Sequence, residues 1–403
     1  QGQVAELMTA AVVLGDSDVR LWGLSSRQRL QRQFRQIDGI DVVASVDAIP
    51  AGETKVLLIR AEYLFEVKTI GKLVEHDAVF LRCPTNGGLA AAVTVGADAG
   101  RAAETLLGND AGGQPVIEPA ALEDYDHTLR KTEAPLLEPV VEDNKEALQS
   151  RLYGGAYKGI TDLVTKFLWP RPVKPVVRWC ASNRITPNMV TMLGIGLVIY
   201  ACFAFLDGNY WAGLAAGWVM TFLDTVDGKL ARVTVASSKL GHYLDHVTDI
   251  LHPPFWYVFW GMSLVNFDGV IGFSAVDLYW MIGIGYVGGR LIEAVFHLLG
   301  SCSIFSWRPF DAYFRLVTGR RNPSLIIFTA AMLLGRPDWG FVGVAFWTGG
   351  TTVLLALRLI YAVVVRASSG PLTSWLTDAD TARSQNARAY AIFSSTRSAY
   401  GAA

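Results

Sequence analysis

Charged side chains are scarce in this sequence. Asp, Glu, Lys and Arg make up 18% of the 403 residues, and hydrophobic residues make up 51%. A soluble domain carries roughly 25% charged residues, and the mean hydropathy here is +0.31. These values exclude an ordinary soluble enzyme, and we expect part of the chain to lie in lipid.

The sequence also lacks an excess of positive charge, a cysteine framework and a secretory leader. The formal net charge of −1 argues against nucleic-acid binding as the main activity. The cysteines form no CxxC pair, so we expect isolated, buried thiols and neither disulfides nor a zinc site. Without a leader, the N-terminal part is expected to stay in the cytoplasm. The four cysteines are Cys83, Cys180, Cys202 and Cys302.

Residues 1–150 have the pattern of a soluble α/β domain. Short apolar runs of strand length alternate with helical patterns, which predicts an open sheet with helices on its faces. The region 112–144 is rich in Glu, Asp and Pro, and it is predicted to be a linker or a loosely packed edge. The predicted strands are 10–14, 55–59 and 78–81, and the predicted helices are 27–37 and 67–74.

A linker and an amphipathic segment follow in residues 151–185. Apolar, aromatic and basic residues alternate at helical spacing over 157–169, which favours a helix at the bilayer surface. An ordinary core-facing helix is the alternative.

Six apolar spans in residues 186–368 predict an all-α transmembrane bundle. Several are shorter than the roughly 20 residues that a span needs, unless neighbouring polar residues continue the same helices. Basic residues concentrate in alternate connections, which places both termini and the tail 369–403 in the cytoplasm of a bacterial- or archaeal-type inner membrane. The spans are 190–206, 211–223, 254–265, 278–299, 325–335 and 341–365.

Four aspartates surround the connection between the second and third spans. Asp224 and Asp227 are three residues apart, and Asp245 and Asp249 are four apart, so each pair shares one face of a helix. Two such helices side by side bring four carboxylates together. Carboxylates at this depth repel one another, and hard divalent ions such as Mg²⁺ or Mn²⁺ relieve that repulsion and also bind phosphates.

The spacing D-x2-D-G-x2-A-R-x8-G-x3-D-x3-D resembles the signature of the CDP-alcohol phosphotransferase family at every defined position. The segment TPNMVT at 186–191 resembles the family's entry into its first transmembrane helix, and the resemblance covers about 169–366. It implies a CDP-alcohol donor, an alcohol or polyol-phosphate acceptor, release of CMP and a homodimer in the bilayer.

The resemblance also implies a role for each motif residue. Asp224, Asp227 and Asp245 would ligate metal. Asp249 would complete a two-metal site and act as general base on the acceptor hydroxyl. The nucleotide-binding residues would be Gly228, Ala231 and Gly241, which admit cytidine and ribose, Arg232 at the diphosphate, and Asn188 and Thr191.

Arginines in the later spans are candidates for acceptor binding. Arg290 lies three residues before Glu293, and this couple is either a structural pair or part of a polar acceptor pocket. Arg320 and Arg321 either bind an anionic acceptor or are positive-inside flanking charges. Some relatives have aspartate at the position of Asn322.

Three histidines lie near the aspartates. His242, His246 and His252 either touch the reaction or pack helices, and imidazole suits zinc better than magnesium.

The N-terminal half weakly resembles sugar-phosphate nucleotidyltransferases, as in bifunctional inositol-phosphate cytidylyltransferase/di-inositol-phosphate phosphate synthases. The loop LGDSDVRLWG at 14–23 stands where that fold has a Gly-rich, basic triphosphate loop, and it has two acidic residues instead. Glu62 stands where an aspartate is usual. We therefore predict a non-catalytic domain.

Together these patterns predict a membrane enzyme of phospholipid or inositol phosphodiester synthesis. The donor would be CDP-diacylglycerol or a CDP-polyol such as CDP-inositol. A cation-coupled transporter and a membrane scaffold are the alternatives, but cation coupling requires neither the small-residue pocket nor Arg232.

Overall fold

The computed structural model describes residues 8–49, 54–122, 125–126, 131–132, 136–237, 239–265, 267–270 and 272–394. Side chains at 125, 126, 131, 132, 239, 240, 242, 245 and 246 lie outside that description. The chain forms two compact units. The first comprises Gln1–Asp126, Thr132–Gly155 and Val233–Ala236, and the second comprises His127–Lys131, Ala156–Arg232 and Ser237–Ala403.

The first unit is built on a six-stranded sheet of order β2-β1-β3-β6-β5-β7. The β1 strand runs parallel to β2 and β3, β6 is antiparallel to β3 and β5, and β7 is parallel to β5. Short β10 pairs with β4, and β8 with β9. The strands are β1 (Thr9–Leu14), β2 (Ile40–Val42), β3 (Lys55–Arg60), β4 (Tyr63–Phe65), β5 (Val79–Arg82), β6 (Leu89–Val95), β7 (Val116–Ile117), β8 (Tyr125–Asp126), β9 (Lys131–Thr132) and β10 (Leu137–Pro139).

Helices cover both faces of this sheet, as the alternating pattern predicts. The first begins at a capping box in which Ser25 accepts from the Gln28 amide and Gln28 reaches back to the Ser25 amide. Alternate residues of β3 enter two separate apolar clusters, with Leu57 in one and Leu58 in the other. The helices are α1 (Ser26–Phe34), α2 (Val67–Val74), α3 (Ala99–Gly108) and α4 (Lys145–Gly155).

Several elements of this unit were not predicted, among them β6, β7 and β10. The β6 strand has the sequence LAAAVTV, and its alanines have little strand preference, yet all of Leu89 to Val93 are buried. The 112–144 region, predicted to be a linker or loose edge, supplies β7 to the sheet and β10 as the partner of β4.

The second unit is helical. A π-helical turn (Val164–Leu168) leads into α5 (Pro170–Ser182), α6 (Pro187–Leu206), α7 (Tyr210–Val233), α8 (Lys239–Met262), α9 (Ala275–Leu299), α10 (Ile304–Trp307), α11 (Pro309–Val317), α12 (Arg321–Leu333), α13 (Pro337–Ser369), α14 (Ala379–Gln385) and α15 (Ala387–Phe393). Aromatic residues of α8 and α12 form its centre, where the rings of Trp260 and Phe328 stack at 4.1 Å.

The predicted helix at 157–169 is wrong in its position. Residues 157–162 are not helical, and the long amphipathic helix is α5. Pro170 occupies the first turn of α5, where its missing N–H costs nothing because that group has no helical acceptor.

Three of the described helices, α6, α9 and α13, are long and apolar enough to cross a membrane. On α9, large apolar side chains recur every three or four residues on one exposed face. Such a continuous apolar stripe fits contact with lipid and not with water. The stripe consists of Val276, Trp280, Ile284, Val287, Leu291, Val295 and Leu298.

The opposite side of α9 packs closely against α13. A Cβ on Gly285 would lie 3.2 Å from the Thr348 methyl carbon, and one on Gly289 would lie 3.1 Å from the Thr352 hydroxyl. Thr352 donates a hydrogen bond to the Gly285 carbonyl. Small residues therefore let the two backbones approach, as in packed membrane helices.

Candidate active site

Three of the four predicted aspartates line one cleft. Asp224 and Asp227 project from α7, and Asp249 projects from α8. The cleft encloses about 250 Å³ including its open mouth. The side chain of Asp245 lies outside the described residues. The cleft is lined by Thr191, Gly194, Ile195, Met220, Asp224, Asp227, Thr248 and Asp249.

The first turns of α6 contribute a hydroxyl to this cleft. Thr191 Oγ1 lies 2.7 Å from Asp227 Oδ2 and donates to it. Asp227 is only 6% exposed, so this bond satisfies one oxygen of a buried carboxylate. One turn later, a Cβ on Gly194 would meet no atom within 4 Å, which shows open space at the cleft wall.

Arg321, at the start of α12, bridges two of the aspartates. Its Nη2 lies 2.6 Å from Asp224 Oδ2, and its Nη1 lies 2.5 Å from Asp249 Oδ1. The Arg321 side chain is 13% exposed, so these charge-assisted bonds lie in a low-dielectric setting. Arg321, predicted to be an acceptor residue, thus contacts the aspartates directly.

Asn322 holds a further carboxylate beside this cluster. Its amide nitrogen donates to Asp162 Oδ1 at 2.8 Å, and the Thr165 backbone N–H donates to the same oxygen at 3.0 Å. Burial alone would raise the pKa of Asp162, but the positive charge of Arg315 and the hydrogen bonds from Asn322 and Thr165 more than offset it and hold that pKa below its ordinary value.

Small residues of the motif make room for Arg232. A Cβ on Gly228 would lie 3.0 Å from Arg232 Nη2. The Arg232 Nε donates to the Ala156 carbonyl at 2.8 Å. The guanidinium is therefore held against the α7 backbone, one turn from the aspartates.

A second cleft lies between α9, the residues that precede α12, and α13. Glu293 forms an ion pair with Arg290 at 3.7 Å and a shorter one with Arg320. Arg290 also donates to the Tyr286 hydroxyl at 3.3 Å. Arg290, Glu293 and Arg320 thus form one group of ion pairs. Gly285, Gly289 and the three threonines of α13 also line this cleft.

The remaining predicted residues have varied surroundings. Asn188 is exposed in the first turn of α6, Ala231 is half-buried near the end of α7, and Gly241 is half-buried in the first turn of α8. His252 is buried, its Nδ1 lies 2.6 Å from the Thr248 carbonyl, and it packs on Trp256. The side chains of His242 and His246 lie outside the described residues.

The donor set suits a hard divalent ion. Carboxylate and hydroxyl oxygens are the ligands that Mg²⁺ and Mn²⁺ prefer. Three carboxylates line the cleft, and Arg321 pairs with two of them. Among the described residues, however, no three acidic, His or Cys side chains are grouped closely enough to hold one ion.

Sequence reasoning missed several residues that contact this site. Asp162 and Met220 were not singled out, because nothing in their spacing relates them to the aspartates. Tyr286 was missed as well, although the adjacent prolines Pro253 and Pro254 in α8 could have indicated that a side chain must satisfy freed carbonyls there.

Comparisons with known proteins match this part of the chain. Residues 184–298 match the family model described as CDP-alcohol phosphatidyltransferase. The archaetidylinositol phosphate synthase of Pyrococcus horikoshii is 38% identical over 82 residues, which are 20% of this chain and 43% of that protein. The phosphatidylinositol phosphate synthase of Cutibacterium acnes is 33% identical over 85 residues, 20% of this chain and 40% of that one.

A eukaryotic protein is similar over a longer stretch. Human cholinephosphotransferase 1 is 30% identical over 131 residues, 30% of this chain and 32% of that protein. The chain spans less than half the length of each of these curated relatives. The matched region contains the whole aspartate motif and Arg290 but ends before Arg320 and Arg321. Residues 184–298 are therefore similar to the CDP-alcohol phosphatidyltransferase family, the same resemblance that the motif predicts.

Proposed function

We propose that this protein is a membrane-embedded CDP-alcohol phosphotransferase, which moves a phospho-alcohol group from a CDP-alcohol to the hydroxyl of a second alcohol and releases CMP. The observation that carries the proposal is that Asp224, Asp227 and Asp249 line one open cleft at the spacing of the family motif. The family match over 184–298 supports it.

Asp224, Asp227 and Asp249, together with Asp245, would hold Mg²⁺ or Mn²⁺ in this cleft. The bound ions would neutralise the diphosphate and make CMP a tolerable leaving group. Thr191 orients the Asp227 carboxylate by its hydrogen bond. Arg232, held over Gly228, would contact the diphosphate, and Gly228, Ala231, Gly241 and Asn188 would border the cytidine.

Asp249 is the proposed general base. Its side chain is 39% exposed, against 21% for Asp224, so it is the more accessible of the two carboxylates that Arg321 holds. It would take the proton of the acceptor hydroxyl as that oxygen attacks the phosphorus nearest the donor alcohol. The new O–P bond forms, the bond to the CMP phosphate breaks, and CMP leaves with the electron pair.

The acceptor would enter from the side of the second cleft. Arg290 and Arg320 face it, and a single carboxylate, Glu293, pairs with both. A polyol phosphate would find two guanidinium groups there. Two of the similar proteins are named archaetidylinositol phosphate synthase and phosphatidylinositol phosphate synthase, which favours an inositol-containing substrate. The donor is either CDP-diacylglycerol or a CDP-polyol such as CDP-inositol.

The membrane domain would be a bundle of six spanning helices, with both termini cytoplasmic. Besides the three long apolar helices, α7, α8 and α12 coincide with the other predicted spans. Polar residues shorten the apolar parts of α7 and α8 because these helices carry the aspartates. A homodimer stays a prediction from the family resemblance.

The first unit is proposed to be a nucleotidyltransferase-like domain without activity. The carboxyl ends of parallel β1 and β3 form the place where such sheets bind ligands. Here Glu62 fills it: a Cβ on Gly15 would lie 3.1 Å from Glu62 Oε1, and Arg60 pairs with Glu62 at 2.7 Å. Arg27 donates to the Gly15 carbonyl at 2.8 Å from the other side.

The test is a CMP-release assay on the full chain in detergent. CDP-diacylglycerol and CDP-inositol are each offered with free inositol phosphate or a lipid alcohol, with Mg²⁺, Mn²⁺ or EDTA. We expect CMP release that requires both a donor and an acceptor and stops with EDTA. Failure of every combination to release CMP would refute the proposal.

A further inference from the structure

Two adjacent prolines interrupt the hydrogen bonding of α8 just after Asp249. In an α-helix the carbonyl of residue i accepts from the N–H of residue i+4. Proline has no N–H. Pro253 and Pro254 therefore remove the helical donors of the Asp249 and Ile250 carbonyls. Their rings also crowd these carbonyls, so this turn of α8 is not held by its own backbone.

A side chain from α9 replaces the missing donor. The Tyr286 hydroxyl lies 2.9 Å from the Ile250 carbonyl oxygen and 3.4 Å from that of Asp249. Arg290 Nη2 donates to the same hydroxyl and so turns its single proton toward the carbonyls. Tyr286 is 6% exposed, so water does not compete for these bonds.

This turn of α8 carries the Asp249 side chain, so the position of its backbone sets the direction of that side chain. Its carboxylate enters the aspartate cleft from the same residue whose carbonyl faces Tyr286. Tyr286 also lines the second cleft, beside Arg290 and Glu293. It is thus in contact with both the backbone of Asp249 and the region proposed to take the acceptor.

We propose that Tyr286 is a positioning residue, which fixes the direction of the Asp249 carboxylate through the two carbonyls that the prolines set free. The catalytic part of this inference rests on the proposed function. Misplacing a reacting group by about 1 Å can cost about 10²-fold in rate. Loss of the Tyr286 hydroxyl should therefore lower kcat and leave donor binding largely in place.

Tyr286→Phe tests this directly. We expect kcat for CMP release to fall about 10- to 100-fold, with KM for the CDP-alcohol within about twofold, because the ring still packs while the carbonyls lose their donor. Tyr210→Phe is the matched control. The Tyr210 hydroxyl accepts a hydrogen bond from Ser263 Oγ at 2.9 Å, just beyond the C-terminal end of α8 and far from Asp249 along that helix. This variant should keep wild-type kcat.

Restoring the backbone donor sharpens the test. In Tyr286→Phe/Pro254→Ala, the new N–H at position 254 can donate to the Ile250 carbonyl. We expect this double variant to recover at least about a third of the lost kcat on a logarithmic scale. A kcat of Tyr286→Phe equal to that of the wild type, or a double variant no faster than the single one, would overturn the inference.

Thermal unfolding in the same detergent separates this inference from the proposed function. The two substitutions should be coupled, with Pro254→Ala raising the unfolding midpoint more in the Tyr286→Phe background than in the wild type. This coupling of unfolding midpoints can be measured even if the wild-type protein releases no CMP. Absence of CMP release would refute the proposed function and leave the hydrogen bond to be judged by the coupling. Where all variants fold, additive midpoints would refute the hydrogen bond. If Tyr286→Phe fails to fold, the double variant is expected to fold, and its failure to fold as well would refute the hydrogen bond.

Discussion

Each unit of this protein places an arginine beside carboxylates, and the two arrangements differ in the number of carboxylates that the arginine contacts. In the first unit, Arg60 forms an ion pair with Glu62, and the Glu62 side chain occupies the position beside Gly15 at the carboxyl ends of β1 and β3. In the second unit, Arg321 pairs with both Asp224 and Asp249, and Asp227 lines the same cleft.

The ion pair of the first unit occupies the position where a ligand would bind, whereas the cleft of the second unit can take a ligand. A paired charge has its partner already, so adding a phosphate or a metal ion to it gains little. Several carboxylates that line one cleft favour a bound cation, and a bound cation also attracts phosphate. The comparison predicts that chemistry belongs to the second unit, and the following variants test it.

Asp249→Asn should have the largest effect. The amide keeps the shape of the side chain but cannot accept the acceptor's proton, and general-base catalysis contributes about 10²- to 10⁴-fold. We expect CMP release to fall by that factor. Asp207→Asn, an exposed aspartate just after α6, is the control. An Asp249→Asn variant with more than about a tenth of wild-type activity would remove Asp249 from the proposed base role.

Thr191→Val should have the next largest effect. It removes the hydroxyl that donates to Asp227, and hydrogen bonds to charged groups contribute about 1.5–3 kcal/mol. We expect kcat/KM for the donor to fall about 10- to 100-fold at fixed Mg²⁺, with partial recovery at higher Mg²⁺. Thr191→Ser keeps the hydroxyl and should retain most of the activity. Equal loss in both variants would contradict a role for the hydroxyl.

Asp162→Asn should lower stability in a pH-dependent way. The folded pKa of Asp162 is depressed, so its charged form stabilises the fold above the unfolded pKa of about 3.9, and this contribution is lost as pH falls through the folded pKa. The unfolding midpoint of Asp162→Asn in detergent should lie below that of the wild type at pH 7, and the gap should close below about pH 3.9. A gap that is constant with pH would contradict the sign of the shift.

Glu62→Gln should have the smallest effect. The Glu62 side chain is 41% exposed, and ion pairs with exposed members contribute about 0–1 kcal/mol. We expect wild-type CMP release and a nearly unchanged unfolding midpoint. The full chain, given CTP, Mg²⁺ and inositol phosphate, should release no pyrophosphate with either residue at position 62. CTP-dependent pyrophosphate release by the wild type and its loss in Glu62→Gln would break the contrast between the two units.

The sequence predicts those parts of the site that depend on spacing within one helix. Asp224 and Asp227 share the cleft because three residues are nearly one turn. Thr191, which the family resemblance assigns to nucleotide binding, lies beside these aspartates and donates to Asp227. These contacts depend on local geometry and on a motif of fixed length.

The contacts that the sequence does not predict join distant segments. Arg321 reaches Asp224 across 97 positions of the chain, and Asn322 reaches Asp162 across 160. Positive charge before a span fits a flanking role equally well, so only packing distinguishes the two roles. In the first unit, β6 was missed because burial between β3 and β5, and not alanine's own preference, makes it a strand.

The glycine and threonine contact between α9 and α13 constrains how a lipid substrate can enter. Gly285 and Thr348 leave no spare room between the two backbones, and Thr352 ties them with a hydrogen bond. An acyl chain that wedged between these helices would have to break that bond and separate the closest part of the bundle. Lateral entry of a lipid from the bilayer is therefore expected between other helices, and a bulkier residue at position 285 would press on Thr348 and Gly349.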